Sequence, residues 1–162
     1  MRPSLVDTLL SIAHTVSERS TCSRRNNGAV IANSKGVVLS TGYNGSLSGM
    51  KHCEHDCDCM ADIIDPDVHL DNCPAHPDKG CTTAVHAEAN AVYFAARNGV
   101  STDGAIIYCT TEPCIKCAEA IVQSGIISCV YDLEYRNHDG LELLRSAGVR
   151  VYRKSPPDWS VK

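Results

Sequence analysis

The chain has 162 residues, 43% of them hydrophobic and 21% charged, enough for one domain with its own core and too few for two ordinary ones. A formal net charge of −4 gives no broad electrostatic grip on long nucleic acid and favours a small substrate over a polynucleotide. No run approaches the roughly 18 apolar residues of a membrane span. Asp7 and His14 interrupt the first apolar run, which reads as an amphipathic helix and not a signal peptide, so the expected location is cytoplasmic, with no membrane partner.

Leu5, Leu9, Ile12 and Val16 recur at helical spacing and predict a first helix over residues 3–18. Residues 28–32 (GAVIA) and 37–41 (VVLST) are β-rich runs on either side of Asn33-Ser34-Lys35-Gly36, which predicts a hairpin. From about residue 46 to 82 periodicity lapses, and the stretch is rich in Gly, Pro, Asp, Cys and His. A loop of that length needs an anchor. Residues 85–97 (VHAEANAVYFAAR) predict a strong helix stopped by Asn98-Gly99. Strands are then expected over 105–109, 126–131 and 149–152, with helices over 113–124 and 141–147, and the tail from about residue 154 to 162 carries Pro156-Pro157 and is expected to pack loosely. The alternation predicts a single domain over 1–162, a three-layer α/β/α sandwich with a mixed sheet of about five strands.

Ten cysteines without a secretion signal point to metal rather than disulfides. Two motifs carry chemistry: His86-Ala87-Glu88, and Pro113-Cys114-Ile115-Lys116-Cys117, with 25 residues between Glu88 and Cys114. One His and two Cys make three protein ligands, which leaves a zinc ion one open position and so marks a catalytic rather than a structural site. Cys-x-x-Cys at a helix start sets both sulfurs on one side of the first turn, where unpaired N–H groups favour thiolate, and Pro113 suits a helix start. Glu88 is too near His86 to chelate the same ion beside it. It can reach a water at the open position, whose pKa zinc lowers, and can move protons. Cys-x-x-Cys alone could be redox-active or half of a structural metal clip, but either reading leaves His86 and Glu88 unexplained. The ordered pair matches the signature of zinc nucleobase deaminases.

Further residues extend the match: Ser20-Thr21-Cys22-Ser23-Arg24, Gly28-Ala29-Val30-Ile31, Thr41-Gly42-Tyr43-Asn44-Gly45-Ser46, Phe94-Ala95-Ala96-Arg97-Asn98-Gly99 and Thr110-Thr111-Glu112-Pro113. Over most of residues 5–153 the chain resembles the deoxycytidylate (dCMP) deaminases of the cytidine deaminase-like superfamily. The Cys-rich insert distinguishes it from tRNA adenosine deaminases, and His86 from free-cytidine deaminases, which usually carry Cys there.

The resemblance implies hydrolysis of dCMP to dUMP and ammonia, supplying thymidylate synthesis. It implies catalytic zinc on His86, Cys114 and Cys117, with Glu88 as proton shuttle. Asn44 would bond the deoxyribose; Arg24, with Tyr135 and Arg136 behind it, would bind the 5′-phosphate, for which an arginine fork is suited. Backbone at Ala87, Thr110, Thr111 and Glu112 would meet the base edge. A structural zinc is implied on Cys22, Cys53 and Cys81, with His76, Cys73 or Cys57 as fourth ligand. The family also implies a homo-oligomer, often a hexamer, with dCTP activating and dTTP inhibiting; a triphosphate effector would bring Mg2+. Arg97 is the candidate for that regulatory or subunit contact, its plain alternative being a basic residue at a helix C-terminus. Rival readings are a deaminase of dCTP or of a 5-substituted dCMP, and a non-catalytic zinc-stabilised nucleotide-binding module. Asn27 departs from the apolar residue expected before Gly28. Cys109 and Cys129 are expected in the core, and His14 and His138 at the surface.

Overall fold

The computed structural model describes residues 2–22, 25–50, 52 and 84–154. Helix α1 spans Leu5–Ser17. Ser4 caps it, its hydroxyl accepting from the Asp7 backbone N–H at 3.1 Å. Its buried stripe is Leu9, Leu10, Ala13 and Ser17. The expected stripe is out of phase by part of a turn, because Leu5 stays half exposed over the Gly36 turn while Leu10 and Ala13 take the sheet-facing side. Burying Leu9 and Leu10 contributes about 1.5–3 kcal/mol each.

Strands β1 (Gly28–Ala32) and β2 (Val38–Tyr43) form the expected hairpin, antiparallel, with a bulge between Ile31 and Ala32. The short strands β3 (Gly45–Ser46) and β4 (Ala84–Val85) pair antiparallel, so the chain on either side of segment 47–83 is held together. Helix α2 (Ala87–Arg97), strand β5 (Ile106–Thr111), helix α3 (Ile115–Gln123), strand β6 (Ser128–Leu133), helix α4 (Asp139–Ser146) and strand β7 (Arg150–Arg153) follow.

The main sheet has the order β2-β1-β5-β6-β7. β1 is antiparallel to both neighbours, while β5, β6 and β7 run parallel, giving the mixed five-stranded sheet the sequence predicted. β1 is buried along its whole length because its alternate side chains serve two cores. Val30 and Ala32 pack with α1; Ala29 and Ile31 join the larger core with residues of α2, α3 and α4 on the opposite face. The architecture is the α/β/α sandwich. Two strands run further than their apolar patterns suggest. β5 continues through Thr110 and Thr111, and β6 through Asp132 and Leu133, because polar side chains at those ends find partners within the fold.

Candidate metal centre and active site

The parallel pair β5 and β6, with antiparallel β1, brings the starts of α2 and α3 together at one end of the sheet. His86 is the N-cap of α2, in extended backbone, and its ring does not cap the helix. Cys114 is the N-cap of α3 and Cys117 lies one turn on. Pro113 therefore sits just outside the helix, not within its first turn as the sequence suggested. The His86 Nδ1 atom is 3.4 Å from Cys114 Sγ and 3.3 Å from Cys117 Sγ, and the three ligand atoms all lie within 4.8 Å of one another. Tetrahedral zinc with its usual bond lengths to sulfur and nitrogen needs N and S about 3.5 Å apart, so this donor set fits zinc.

The protonation of the sulfurs agrees. Hydrogen bonding from the Cys117 thiol, aided by His86, lowers the Cys114 pKa to about 3. The thiolate beside it pushes the Cys117 pKa upward. The neighbouring thiol, more than the helix amides, is thus the main support of the Cys114 anion. The pair holds one proton, which zinc would displace. Glu88, in the first turn of α2, is buried, with Oε2 3.4 Å from Cys117 Sγ. Burial raises its pKa above the ordinary carboxylate range, as a group that must hold a proton needs.

Two glycines let these helix starts approach. A Cβ on Gly42 of β2 would lie 2.2 Å from the Ala87 carbonyl oxygen and 2.4 Å from the Ala91 nitrogen. A Cβ on Gly140 of α4 would lie 2.1 Å from the Pro113 carbonyl oxygen and 2.9 Å from the Cys114 carbonyl carbon. Both neighbours are backbone and cannot swing aside. Gly140→Ala is therefore expected to displace Cys114 and weaken zinc binding by about 10- to 100-fold, read by competition with a chromogenic chelator. Undiminished affinity would show that the Pro113–Cys114 segment yields without cost to the ligand set.

The other candidates fall into three groups. Arg24, Cys53, Cys57, Cys73, His76 and Cys81 lie outside the described residues. Ala87, Thr110, Thr111 and Glu112 are buried. Thr110 Oγ1 accepts from the Gly28 N–H at 3.0 Å, and Thr111 Oγ1 donates to Asn27 Oδ1 at 2.9 Å. The Glu112 N–H donates to the Leu133 carbonyl at 2.8 Å. Asn44, also buried, uses its amide on backbone: Oδ1 accepts from the Asn27 N–H at 2.8 Å and Nδ2 donates to the Arg25 carbonyl at 2.7 Å. The third group lies further out. The Arg136 guanidinium stands 5.7 Å from the centre of the Tyr135 ring. Arg97 is exposed at the far end of α2 from His86. Cys22 is buried near the start of the hairpin, and Cys109 and Cys129 are buried in β5 and β6, as expected of core thiols.

Sequence reasoning missed the partners of three residues. The Asn27 side chain accepts from Thr111, a role no apolar side chain could fill, while its backbone N–H donates to Asn44. His138 is not merely a surface residue: its Nδ1 lies 2.9 and 3.0 Å from the two carboxylate oxygens of buried Glu112, and that bond raises its pKa. His14 likewise has a partner, Asp132, at 2.8 Å.

Residues 3–133 match the family model described as the cytidine and deoxycytidylate deaminase zinc-binding region. The chain belongs to this family. Its relatives include the deoxycytidylate deaminase of Enterobacteria phage T2, 35% identical with 94% of this chain and 93% of the relative covered. That of Enterobacteria phage T4 is 37% identical over 90% of this chain and 87% of its own. Among solved structures, the dCMP deaminase of cyanophage S-TIM5 in complex with dCMP and dUMP aligns at a TM-score of 0.75 and 29% identity, covering 95% of this chain and 99% of that one. Among the described residues no helix is long and apolar enough to cross a membrane.

Proposed function

We propose that this deaminase converts dCMP and water to dUMP and ammonia. The observation that carries the proposal is the His86, Cys114 and Cys117 triad with Glu88 buried against it, in a chain similar almost end to end to deoxycytidylate deaminases. Zinc held by the three ligands supplies the Lewis acidity that makes water nucleophilic near neutral pH. Glu88 takes a proton from the water whose oxygen forms the bond to C4 of cytosine, and passes it to N3. It then carries the water's second proton to the exocyclic nitrogen. The C4–N bond breaks, ammonia leaves, and the ring becomes uracil.

Arg24, Tyr135 and Arg136 bind the 5′-phosphate in this reading. Asn44 meets the deoxyribose with the N–H that its backbone bonds leave over, and the backbone at Ala87 and Thr110 to Glu112 frames the base. Cys22, Cys53 and Cys81, with His76, Cys73 or Cys57, hold a structural zinc. The enzyme works in the cytoplasm as a hexamer tuned by dCTP and dTTP with Mg2+, through Arg97 at an effector or subunit contact.

The test is ammonia release from zinc-loaded protein offered dCMP, CMP, deoxycytidine and dCTP separately, with dCTP also added as effector. Turnover of dCMP well above the other three is expected, and faster turnover with dCTP present would mark regulation. Preference for another nucleotide would overturn the substrate, and silence on all four would move the chain to the non-catalytic class.

A further inference from the structure

Glu112 stands two residues before a metal ligand, and its carboxylate bonds to the chain that follows β6. Its side chain has 0% exposure. Buried carboxylates are expensive unless paired and fully hydrogen-bonded, so the partners of this one are informative. Both oxygens lie within 3.0 Å of His138 Nδ1, and Oε2 also accepts from the Tyr135 backbone N–H at 3.3 Å. Every one of these contacts falls on the short connection between β6 and α4.

That connection is tied to the strand leading to Cys114 at three levels. At its start, the Glu112 N–H donates to the Leu133 carbonyl. In its middle, the Glu112 carboxylate takes Tyr135 and His138. At its end, Gly140 packs on the backbone of Pro113 and Cys114. The Asn137 side chain tightens the same turn, accepting from the Asp139 N–H at 2.7 Å and donating to the Asp139 carboxylate at 2.8 Å. Residues 134–138 thus form an arch hung from the metal-ligand segment, with Tyr135 and Arg136 on its crest, the arginine over the tyrosine ring.

We infer that Glu112 and His138 are positioning residues that fix the Tyr135–Arg136 crest relative to the His86, Cys114 and Cys117 triad, and so set recognition of the phosphate end of the nucleotide. The inference rests on the proposed reading of the site as a nucleotide deaminase with Arg136 at the phosphate. His138 is the handle for testing it, because its side chain is 61% exposed and can be truncated without opening the core.

The experiment compares the parent with His138→Ala and His138→Asn, whose amide nitrogen can stand where Nδ1 stands. Zinc content, dCMP kinetics, and calorimetric titration with dUMP and with deoxyuridine are measured on each. The parent should bind dUMP more tightly than deoxyuridine. His138→Ala should cut that ratio by about tenfold, the scale of losing a well-aimed bond to a charged group. Deoxyuridine affinity and zinc content should hold, KM for dCMP should rise, and kcat should stay close to the parent value. His138→Asn should restore most of the ratio.

An unchanged ratio in His138→Ala, an equal loss for both ligands, a fall in zinc content, or a parent with no phosphate preference would each overturn the inference. A parent that keeps the ratio but turns over a different nucleotide would sink the dCMP reading alone.

Discussion

Glu88→Gln should abolish most turnover while leaving the metal and nucleotide sites intact. The substitution keeps the side chain's size and removes its ability to hold and release protons. Positioned acid–base groups contribute roughly 10²–10⁴-fold, and that is the expected loss in kcat. The stability change should be small. Glu88 sits in the first turn of α2, where a negative charge is favoured by about 0.3–1 kcal/mol, but its burial opposes that charge. Zinc content and dUMP affinity should match the parent. Ammonia release, zinc analysis and dUMP titration on the same preparation check all three. A Gln variant keeping more than about a tenth of the activity would remove Glu88 from the proton path and require another base. One that loses zinc would show that the carboxylate supports the Cys117 ligand across their 3.4 Å contact instead of serving the reaction.

What the sequence made legible follows from distance along the chain. His86 with Glu88, and Cys114 with Cys117, are local spacings, so helix geometry alone predicts which atoms share a side. The structure then adds the meeting of the two pieces. The fold class was equally readable, because alternating strands and helices leave few ways to cover both sheet faces. The supports were not. Glu112 pairs with His138 across 26 positions, and Thr111 with Asn27 across 84. No periodicity encodes such pairs, since each member alone looks like an ordinary polar residue. The only signals were negative ones: a carboxylate between a buried-strand pattern and a metal motif, and an asparagine where an apolar residue was expected. Strand ends were misjudged for the same reason, as Thr110 and Thr111 look like the close of an apolar run until their partners are seen. Gly140 is legible only in space, because the backbone it must clear, at Pro113 and Cys114, lies 27 and 26 residues away.

Cys117→Ser should cost about one equivalent of zinc and at least about a thousandfold in activity, the scale of losing several kcal/mol of Lewis-acid stabilisation. The site explains why the change is severe. Cys117 is buried, within reach of His86, Cys114 and Glu88 together. A hydroxyl there is smaller and far less acidic than a thiol, so His86 and Cys114 would be left as two ligands, too few for a tight zinc site. The folded chain should survive, because serine can still donate toward Glu88. Metal analysis against protein concentration is the deciding measurement, with thermal melts run with and without chelator. The parent's melting temperature should fall when zinc is withdrawn, as expected for a ligand that binds only the native state. Zinc that remains in the variant reports on the second site. One equivalent left beside two in the parent would place a separate zinc elsewhere in the chain and support the Cys22, Cys53 and Cys81 set. None left beside one in the parent would leave those cysteines without a metal. A variant that retains its full zinc content would overturn the assignment of Cys117 as a ligand.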